Sequence, residues 1–403
     1  MKLPENIKKS ARFFMPGHKG YGKISLSDDV TELDGTDDLH NPTGIIKKAQ
    51  EKAARIFGAR ETFFLVNGST SGSHAMLGAA CCPGDKVIIT AGCHISAINA
   101  MVIFDLRPVF VYPKYNLLFD MYEAITPVEL EKALTQNPDA TAVFVTSPTY
   151  FGVCADIAGL KKVAEKYNAV LLVDEAHGAH LCFSDNLPPS SMQAGADACV
   201  QSAHKTLPSL TQTAFLHNNT LDSFKIQENL KMLQSSSPSY LFMKSLDKAS
   251  EFSRDKLERV IQECRSMPSF DDPTRLVFNF GRNVQQVKRH LDEHGILIEM
   301  MTSCCIVAIA TVNNTISDLK RLKKEVAKFT AEQEEHAAPL EIVMAMQPRE
   351  AYFSANRRVN GKDAVGKVAA RTIFKPRPSV PLVPVGGIIP MELNEEAWVV
   401  CEN

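Results

Sequence analysis

Residues 169–177 read Ala-Val-Leu-Leu-Val-Asp-Glu-Ala-His, an unbroken apolar run that ends directly on an acid. A short continuous apolar run predicts a strand that is buried on both faces, as in a parallel sheet covered by helices. Similar runs recur between Gly44 and His217, where they alternate with helical patterns. This alternation predicts an α/β fold built on a mostly parallel, doubly wound sheet.

The predicted elements can be placed along the chain. Helices are predicted at Ile45–Phe57, Gly72–Ala80, Ile95–Ile103, Pro127–Leu134 and Ile157–Tyr167. Strands are predicted at Thr62–Val66, Lys86–Ile89, Val109–Tyr112, Ala142–Thr146, Ala169–Asp174, Ala198–Ser202 and Thr211–Leu216. A longer helical stretch, Leu241–Cys264, follows these elements.

The pattern changes after Met267 and Pro268. Elements in the order β-α-β-β-α follow between Arg275 and Thr330, which predicts a smaller α+β domain. The proline-rich stretch Lys375–Pro390 predicts an extended segment on the surface. We therefore expect an N-terminal arm over residues 1–43, a large domain over 44–267 and a small C-terminal α+β domain over 268–403.

Composition excludes several classes of protein. Of the 403 residues, 45% are hydrophobic and 22% are charged, with a formal net charge of −2. Ordinary apolar content excludes disorder, and a near-neutral charge gives no general attraction to nucleic acid or anionic membrane. No apolar run approaches the ~20 residues of a membrane span, and residues 1–14 do not resemble a secretory signal. The ten cysteines show no C-x-x-C and no zinc spacing, so we expect a cytoplasmic protein without a metal.

Nucleotide-binding motifs are approached but not matched. Residues 17–24 (Gly-His-Lys-Gly-Tyr-Gly-Lys-Ile) and 361–368 (Gly-Lys-Asp-Ala-Val-Gly-Lys-Val) resemble P-loops. Both lack the Ser or Thr that holds magnesium after the lysine. The acidic end of the run at Asp174 is similar to a helicase-type ATPase motif, but without a P-loop or a basic excess that function is disfavoured.

Three polar features lie where predicted strands end. Residues 67–72 (Asn-Gly-Ser-Thr-Ser-Gly) separate a strand from a helix and could hold a phosphate, or simply cap the helix. Asp174 ends an apolar strand, where a carboxylate points into the ligand crevice or caps a loop. Lys205, in Ser202-Ala-His-Lys205, has small or apolar neighbours that favour a lowered pKa, although a single lysine is more often on the surface.

Together these features meet the requirements of pyridoxal 5′-phosphate (PLP). A lysine at position 205 can form a Schiff base with its aldehyde, and Asp174 can keep the pyridine nitrogen protonated. The hydroxyl-rich turn can hold the phosphate. His94, which follows the strand Lys86–Ile89, could stack on the ring, although a lone histidine is more often structural.

At these residues the sequence resembles the Orn/Lys/Arg decarboxylases, a family with the aspartate-aminotransferase-like PLP-dependent transferase fold type I. The resemblance is carried, in chain order, by residues 15–20 (Met-Pro-Gly-His-Lys-Gly), 31–44 (Thr-Glu-Leu-Asp-Gly-Thr-Asp-Asp-Leu-His-Asn-Pro-Thr-Gly), 64–72 (Phe-Leu-Val-Asn-Gly-Ser-Thr-Ser-Gly), 146–154 (Thr-Ser-Pro-Thr-Tyr-Phe-Gly-Val-Cys), 173–180 (Val-Asp-Glu-Ala-His-Gly-Ala-His), 202–207 (Ser-Ala-His-Lys-Thr-Leu) and 233–240 (Leu-Gln-Ser-Ser-Ser-Pro-Ser-Tyr). We expect a short member that lacks the extra N-terminal domain of the long ones.

The resemblance implies a role for each candidate residue. It implies Lys205 as the Schiff-base lysine, Asp174 as the partner of the pyridine nitrogen and His94 as the stacking residue. The other implied cofactor-binding residues are Ser69, Thr70, Ser71, His177, Ser202 and His204. The family works as a homodimer, in which a hydroxyl of Ser235–Ser237, here Ser236, reaches the partner's cofactor.

The implied reaction is decarboxylation of lysine, ornithine or arginine, with His204 or the freed Lys205 as the acid that protonates the α-carbon. The acidic residues between Asp28 and Asp38 attract a dibasic substrate or form a solvated loop. Departures from the family pattern at Ile95, at Pro208 and in the proline-rich tail leave the substrate open. The alternatives are an aminotransferase or lyase, with Arg357, Arg358 or Arg371 on the substrate carboxylate, or a non-catalytic homologue.

Overall fold

A seven-stranded sheet with helices packed on it forms the centre of the protein. The structure, a computed structural model, describes residues 10–14, 18–19, 28–33, 35–374 and 381–401. Up to residue 264 the elements are β1 (Ala11–Phe13), α1 (Ile45–Phe57), β2 (Glu61–Leu65), α2 (Gly68–Ala80), β3 (Lys86–Thr90), α3 (Ile95–Phe104), β4 (Arg107–Val111), β5 (Tyr115–Asn116), β6 (Met121–Tyr122), α4 (Pro127–Gln136), β7 (Ala140–Thr146), α5 (Ile157–Lys166), β8 (Val170–Asp174), β9 (Ala198–Gln201), α6 (Ala203–Thr206), β10 (Ala214–Asn218), α7 (Ser223–Leu233), α8 (Tyr240–Asp247) and α9 (Arg254–Cys264).

The large sheet has the strand order β2-β10-β9-β8-β7-β3-β4. Neighbouring strands from β9 to β4 pair in parallel, whereas β10 is antiparallel to both β2 and β9. The mostly parallel sheet was predicted from the unbroken apolar runs, and this prediction is confirmed. The one antiparallel strand is β10, which overlaps the strand predicted at Thr211–Leu216. Its direction was not predicted, because an apolar run carries no information about strand direction.

Strand β8 illustrates why these runs are apolar throughout. Leu171 and Val173 pack on one face of the sheet with Leu160 of α5, and all three are fully buried. Leu172, between them, packs on the opposite face with Met76 of α2. Because successive side chains of a strand point to opposite faces, helices on both sides require an apolar residue at every position.

The remaining elements build a smaller sheet and a C-terminal region. They are β11 (Arg275–Asn279), α10 (Val284–Glu293), β12 (Ile296–Ile298), β13 (Met300–Met301), β14 (Cys305–Ile309), α11 (Ile316–Val326), α12 (Pro348–Phe353), β15 (Asn356–Val359), β16 (Ile373–Phe374), β17 (Pro381–Val383) and β18 (Ala397–Val400). The order β11-β14-β13 forms an antiparallel sheet. Strand β12 instead pairs in parallel with β1, close to the start of the chain.

Several predicted boundaries were wrong, including those of β10, which spans Ala214–Asn218 rather than Thr211–Leu216. Helix α2 starts at Gly68 rather than Gly72, because packing on the sheet outweighs the poor helix propensity of its Gly and Ser residues. The stretch Leu241–Cys264 is two helices, and Ser253 caps the second by accepting a hydrogen bond from Lys256 N.

Several sequence features lie partly or wholly outside the described residues. These are Met15–Gly17, Gly20, most of the P-loop-like stretch at 17–24, Asp34, and residues 375–380 of the proline-rich tail. The described part of that tail begins with β17, which pairs antiparallel with β16. Within the described residues no helix has the length and apolarity that a membrane span requires. All ten cysteines are free thiols.

Candidate active site

A cavity of about 1380 Å³ opens at the carboxyl ends of the large sheet's strands. Strand β8 ends on Asp174, β9 is followed by Ser202, and β3 is followed by the turn that carries His94. The lining also includes Gly68, Ser69, Thr70, His177, His204 and Lys205. Carboxyl ends of parallel strands meet at one edge of a sheet, so residues far apart in sequence share one crevice.

The hydroxyl-rich turn forms the first turn of helix α2. Ser69 and Thr70 line the cavity, and Ser202 Oγ donates a hydrogen bond of 2.8 Å to Ser69 Oγ. Ser71 does not line it, because Ser71 Oγ donates to Gly68 O at 2.9 Å. The N–H groups of a helix's first turn have no intrahelical partner, and the helix dipole is positive there. Hydroxyls and N–H groups therefore converge on one end of the cavity.

Helix α2 sits close to the sheet because Gly72 has no side chain. A Cβ atom at Gly72 would lie 2.5 Å from Leu65 Cδ1 and 2.7 Å from Val200 Cγ2. Glycine at this position lets the first turn of the helix lie directly over strands β2 and β9. The packing fixes where the hydroxyls stand.

Asp174 is buried at the edge of the cavity, with 4% of its surface exposed. Its Oδ1 accepts a hydrogen bond of 3.0 Å from Ala176 N. The carboxylate also faces Cys93, whose pKa is raised to about 12, chiefly by burial and then by the charge of Asp174. A carboxylate held at a fixed position in such surroundings can pair with a cationic or N–H group of a ligand.

Lys205 lies on the short helix α6, directly after strand β9. Its Nζ is 3.2 Å from His177 Nε2. Burial lowers the pKa of Lys205, and the charge of Arg275 acts in the same direction, against the opposing effect of Asp174. A lysine of lowered pKa has a larger fraction of nucleophilic free amine at neutral pH.

The two other predicted histidines line the same cavity. His94 caps helix α3, since its Nδ1 accepts a hydrogen bond of 3.2 Å from Ser96 N. His204 Nδ1 lies 2.9 Å from Thr213 O and donates to it, which leaves Nε2 for a ligand. Burial lowers the pKa of His204.

Ser236, like Ser71, is a predicted site residue that does not line the cavity. It is exposed and absent from the lining. Its neighbour Ser235 is held by the segment that precedes helix α1, because His40 Nε2 donates to Ser235 O at 2.8 Å.

Residues from other parts of the fold complete the cavity, and of these only Arg371 was singled out from the sequence as a candidate site residue. Glu299, Arg371 and the segment 391–398 line it. Tyr150 also lines it, and its hydroxyl donates to Glu299 Oε1 at 2.7 Å. Arg275 Nη2 is 3.0 Å from His177 Nδ1. Tyr150 follows a predicted strand end and could have been found there, whereas Arg275 begins a strand of the smaller sheet and had no such marker.

Two residues of the acidic loop make structural contacts. Asp37 Oδ2 accepts hydrogen bonds from Gly44 N and Ile46 N at 2.8 and 2.9 Å, at the start of helix α1. Asp28 pairs with Lys244 at 2.5 Å. Neither residue lines the cavity.

Two further features of the structure are the second P-loop-like stretch and a cluster of side chains with metal-ligating atoms. The P-loop-like stretch at 361–368 does not line the cavity, and Gly361 packs behind the lining against the backbone of Leu393. Among the described residues, His290, His294 and Glu325 form the one cluster with metal-ligating atoms within 4.8 Å of one another. Glu325 already pairs with His290 at 2.7 Å and with Lys328 at 2.5 Å, so an interhelical ion-pair network explains this cluster.

Comparison with known proteins identifies the family to which the chain belongs. Residues 8–270 match the family described as "Orn/Lys/Arg decarboxylase, major domain". An arginine decarboxylase of Bacillus subtilis is 33% identical over 438 residues, which cover 96% of this chain and 89% of that protein. The lysine decarboxylase LdcA of Pseudomonas aeruginosa is 26% identical over 310 residues, which cover 69% of this chain and 39% of that protein.

Solved structures share the fold. The lysine decarboxylase LdcF of Francisella novicida aligns with a TM-score of 0.78 at 15% identity, over 92% of this chain and 68% of that one. The serine palmitoyltransferase of Sphingomonas wittichii aligns with a TM-score of 0.59 at 16% identity, over 78% of this chain and 84% of that one. The predicted fold class, α/β with the type I architecture, is confirmed. On the family match and the relatives together, the chain belongs to the Orn/Lys/Arg decarboxylase family, a family of amino-acid decarboxylases.

Proposed function

We propose that this protein is a PLP-dependent decarboxylase, a carboxy-lyase that converts lysine, ornithine or arginine to the corresponding amine and CO₂. One observation carries the proposal: Lys205, Asp174 and the hydroxyls of Ser69 and Thr70 line a single cavity at the carboxyl edge of one sheet. Relatives that are named arginine and lysine decarboxylases support the substrate class.

The chemistry of the donor groups fits PLP. The hydroxyls of Ser69, Thr70 and Ser202, with the N–H groups of the first turn of α2, would hold the phosphate. Ser71 would contribute through its backbone, because its hydroxyl is bonded within the helix. When bound, PLP supplies an electron sink for the electron pair that remains after CO₂ leaves.

Each charged residue then has a defined task. Lys205 Nζ would hold the cofactor's aldehyde carbon covalently, and Asp174 would hold a proton on the ring nitrogen. A buried carboxylate suits this task, because its charge is poorly screened and strongly favours a paired N–H. His94 would cover one face of the ring, and His177 would bind the cofactor close to Lys205.

Protonation of the α-carbon needs an acid that borders the cavity. His204 and the released Lys205 both qualify by position. Because His204 Nδ1 is engaged by Thr213 O, any proton that His204 delivers leaves from Nε2.

Acidic residues at the cavity support a basic substrate. Besides Asp174, the lining includes Glu299, Glu392, Glu395 and Glu396, and the last three are exposed. Glu392 and Glu396 also pair with Lys362 and Arg358, but acidic side chains still outnumber Lys and Arg in the lining, and this excess favours a substrate whose distal group is a cation.

The proposal extends to organisation and location. It includes a homodimer in which Ser236 reaches the partner's cofactor, and the three-part division of the chain at residues 1–43, 44–267 and 268–403. Ten free thiols suit the reducing cytoplasm, where an amine-forming enzyme would supply polyamine metabolism.

Release of labelled CO₂ tests the function. Purified protein with added PLP would be incubated with carboxyl-labelled lysine, ornithine or arginine, and the gas trapped and counted. We expect label from at least one of the three with the wild type and with Lys231→Ala, a change at an exposed lysine, and none with Lys205→Ala. Amino-group transfer to a keto acid without release of CO₂ would favour the aminotransferase alternative instead.

A further inference from the structure

His177 lies between two basic side chains. Its Nε2 is 3.2 Å from Lys205 Nζ, and its Nδ1 is 3.0 Å from Arg275 Nη2. His177 has 6% of its surface exposed and Arg275 has 1%. The ring is also held edge-on against Tyr150, with 4.9 Å between the ring centroids. Both ring nitrogens therefore have one defined partner each.

The chemistry of the partners decides which nitrogen of His177 carries the proton. An arginine guanidinium is always charged and can only donate hydrogen bonds. Nδ1 of His177 must therefore be the acceptor, and a neutral imidazole then carries its proton on Nε2. A doubly protonated ring would point N–H groups at two donors, and burial together with the charges of Lys205 and Arg275 lowers the pKa of His177 well below its ordinary value.

The position of the proton on His177 also determines which charge state of Lys205 the contact favours. With its proton on Nε2, His177 donates toward Lys205 Nζ, and a charged ammonium group has no lone pair to accept it. The contact is satisfied only when Nζ is a neutral amine. We propose that Arg275 is a positioning residue, which fixes His177 as the Nε2–H tautomer and thereby holds Lys205 as a free amine before the cofactor is attached.

A free amine is what covalent attachment requires. The Nζ lone pair attacks the aldehyde carbon of PLP, a C=N bond replaces the C=O bond, and the aldehyde oxygen leaves as water with the two amine protons. An ammonium group would first have to lose a proton. The relay from Arg275 through His177 thus prepares the lysine for the reaction that loads the enzyme.

Other charges at the cavity act on Lys205 as well. Asp174 and Glu299 raise its pKa, whereas burial and Arg275 lower it. The charges of His94 and His204, like that of Lys205, act to lower the pKa of His177. Because the two carboxylates favour the ammonium form, a device that opposes them has a purpose at this position.

Nitrogen-15 NMR of the cofactor-free wild type, labelled at histidine, tests the tautomer directly. We expect His177, assigned by difference from His177→Asn, to show an unprotonated Nδ1 and a protonated Nε2 at neutral pH. A proton on Nδ1, or on both nitrogens, would overturn the proposal. This measurement needs no variant of Arg275 to fold and no bound cofactor.

The rate of cofactor attachment tests the consequence. Rapid mixing of cofactor-free protein with PLP, followed by its visible absorbance across pH, gives the pH at which the amine becomes reactive. Arg275→Met keeps an unbranched, largely apolar side chain and removes the charge and the donors that contact His177. We expect its midpoint to rise by about one pH unit and its rate at pH 7 to fall about tenfold.

A conservative variant separates the proposed role from a merely structural one. Arg275→Lys keeps a charged donor, so we expect its midpoint to stay near that of the wild type. A folded Arg275→Met protein, judged by circular dichroism, with an unchanged midpoint and rate would contradict the proposal. The proposal rests on the proposed function, and the two fail differently: without PLP chemistry no absorbance change occurs at all, whereas a wrong tautomer leaves attachment intact and changes only the NMR result.

Discussion

The cavity has two walls that differ in how their residues are held. The sheet wall, defined here as Ser69, Thr70, His94, Asp174, Ser202 and Lys205, lies at strand ends and at helix starts that pack on the large sheet. The second wall, defined as Glu299, Arg371 and residues 391–398, comes from the smaller sheet and the C-terminal region. Strand ends are fixed by hydrogen-bonded neighbours and two layers of core, whereas five of the ten residues of the second wall are exposed and only Ala397 is buried. We infer that the sheet wall holds the chemistry and the second wall selects and admits the substrate.

Replacement of the sheet wall's lysine should have the largest effect. Lys205→Ala removes the amine that would carry the cofactor, so we expect turnover to fall by roughly 1,000-fold or more with the fold intact. Steady-state decarboxylation and circular dichroism check this. Lys231→Ala, which removes an exposed lysine, serves as the control, and substantial turnover by Lys205→Ala would show that the lysine was wrongly assigned.

Asp174→Asn tests the other end of the sheet wall. Asparagine keeps the size of the side chain and an oxygen that can accept from Ala176 N, but it removes the charge. We expect kcat to fall about 100- to 1,000-fold, as when a preorganised charge is lost from an active site. A kcat within fivefold of the wild type would mean that Asp174 is only a loop-capping acid.

Gly72→Ala tests whether packing positions the sheet wall. The new Cβ would meet Leu65 and Val200 at 2.5 and 2.7 Å, so we expect a loss of about 1–3 kcal/mol in the free energy of unfolding. Urea denaturation measures it, with Ser69→Ala, which removes an atom, as the comparison. Equal stability of Gly72→Ala and the wild type would show that the helix can shift freely on the sheet.

His217, which lies outside both walls, should make the free energy of unfolding depend on pH. His217 is fully buried and bonded to Thr62 and Gln201, and burial lowers its pKa to about 3. The neutral form is thus favoured in the folded state, so its contribution is complete above pH ~6.5 and is lost as the pH falls toward 3. We expect a slope of up to about 1.4 kcal/mol per pH unit in that window.

Urea denaturation between pH 4 and 8 checks this slope. His217→Gln should lose it, whereas His294→Gln, at an exposed position, should keep it. The same slope in both variants would show that other groups cause the loss of stability in acid.

The second wall's arginine should give the smallest effect. Arg371 Nη1 already donates to Tyr352 O and Ala370 O at 2.9 and 2.6 Å, and its guanidinium stacks 4.1 Å from the centroid of the Tyr352 ring. We expect Arg371→Met to change both kcat and KM less than about fivefold. A much weaker apparent affinity for the substrate, by a factor of about 100 or more, would identify Arg371 as the carboxylate-binding residue that the aminotransferase alternative requires.

The difference between the two walls also explains which residues of the site could be predicted from the sequence. Asp174 and Lys205 follow apolar strands, and a strand end in a parallel sheet is a place of known direction, so their shared cavity was predictable. The helix start at Gly68 was not, because local propensity opposes it and tertiary packing prevails. The hydrogen bond from the Ser71 hydroxyl to Gly68 O was missed with it, because this bond lies within the helix turn that was not predicted.

Long-range pairings outside the large sheet could not be predicted from the sequence either. Arg275 meets His177 only because the smaller sheet packs against the cavity, and no local pattern marks a single arginine at a strand start. The pairing of β1 with β12 joins two short runs whose apolar pattern fits many partners. Asp37 was assigned to an acidic stretch with two possible roles, and its capping of α1 depends on the path of the chain between residues 37 and 46.

Reductive trapping tests the central claim most directly. Protein mixed with PLP would be reduced with borohydride, digested and mapped by mass spectrometry, with Lys205→Ala treated in parallel. We predict that the cofactor's mass is added to the peptide containing Lys205 and to no peptide of the variant. Stoichiometric label on another lysine, or no label on an intact protein, would contradict the assignment of this cavity as a PLP site.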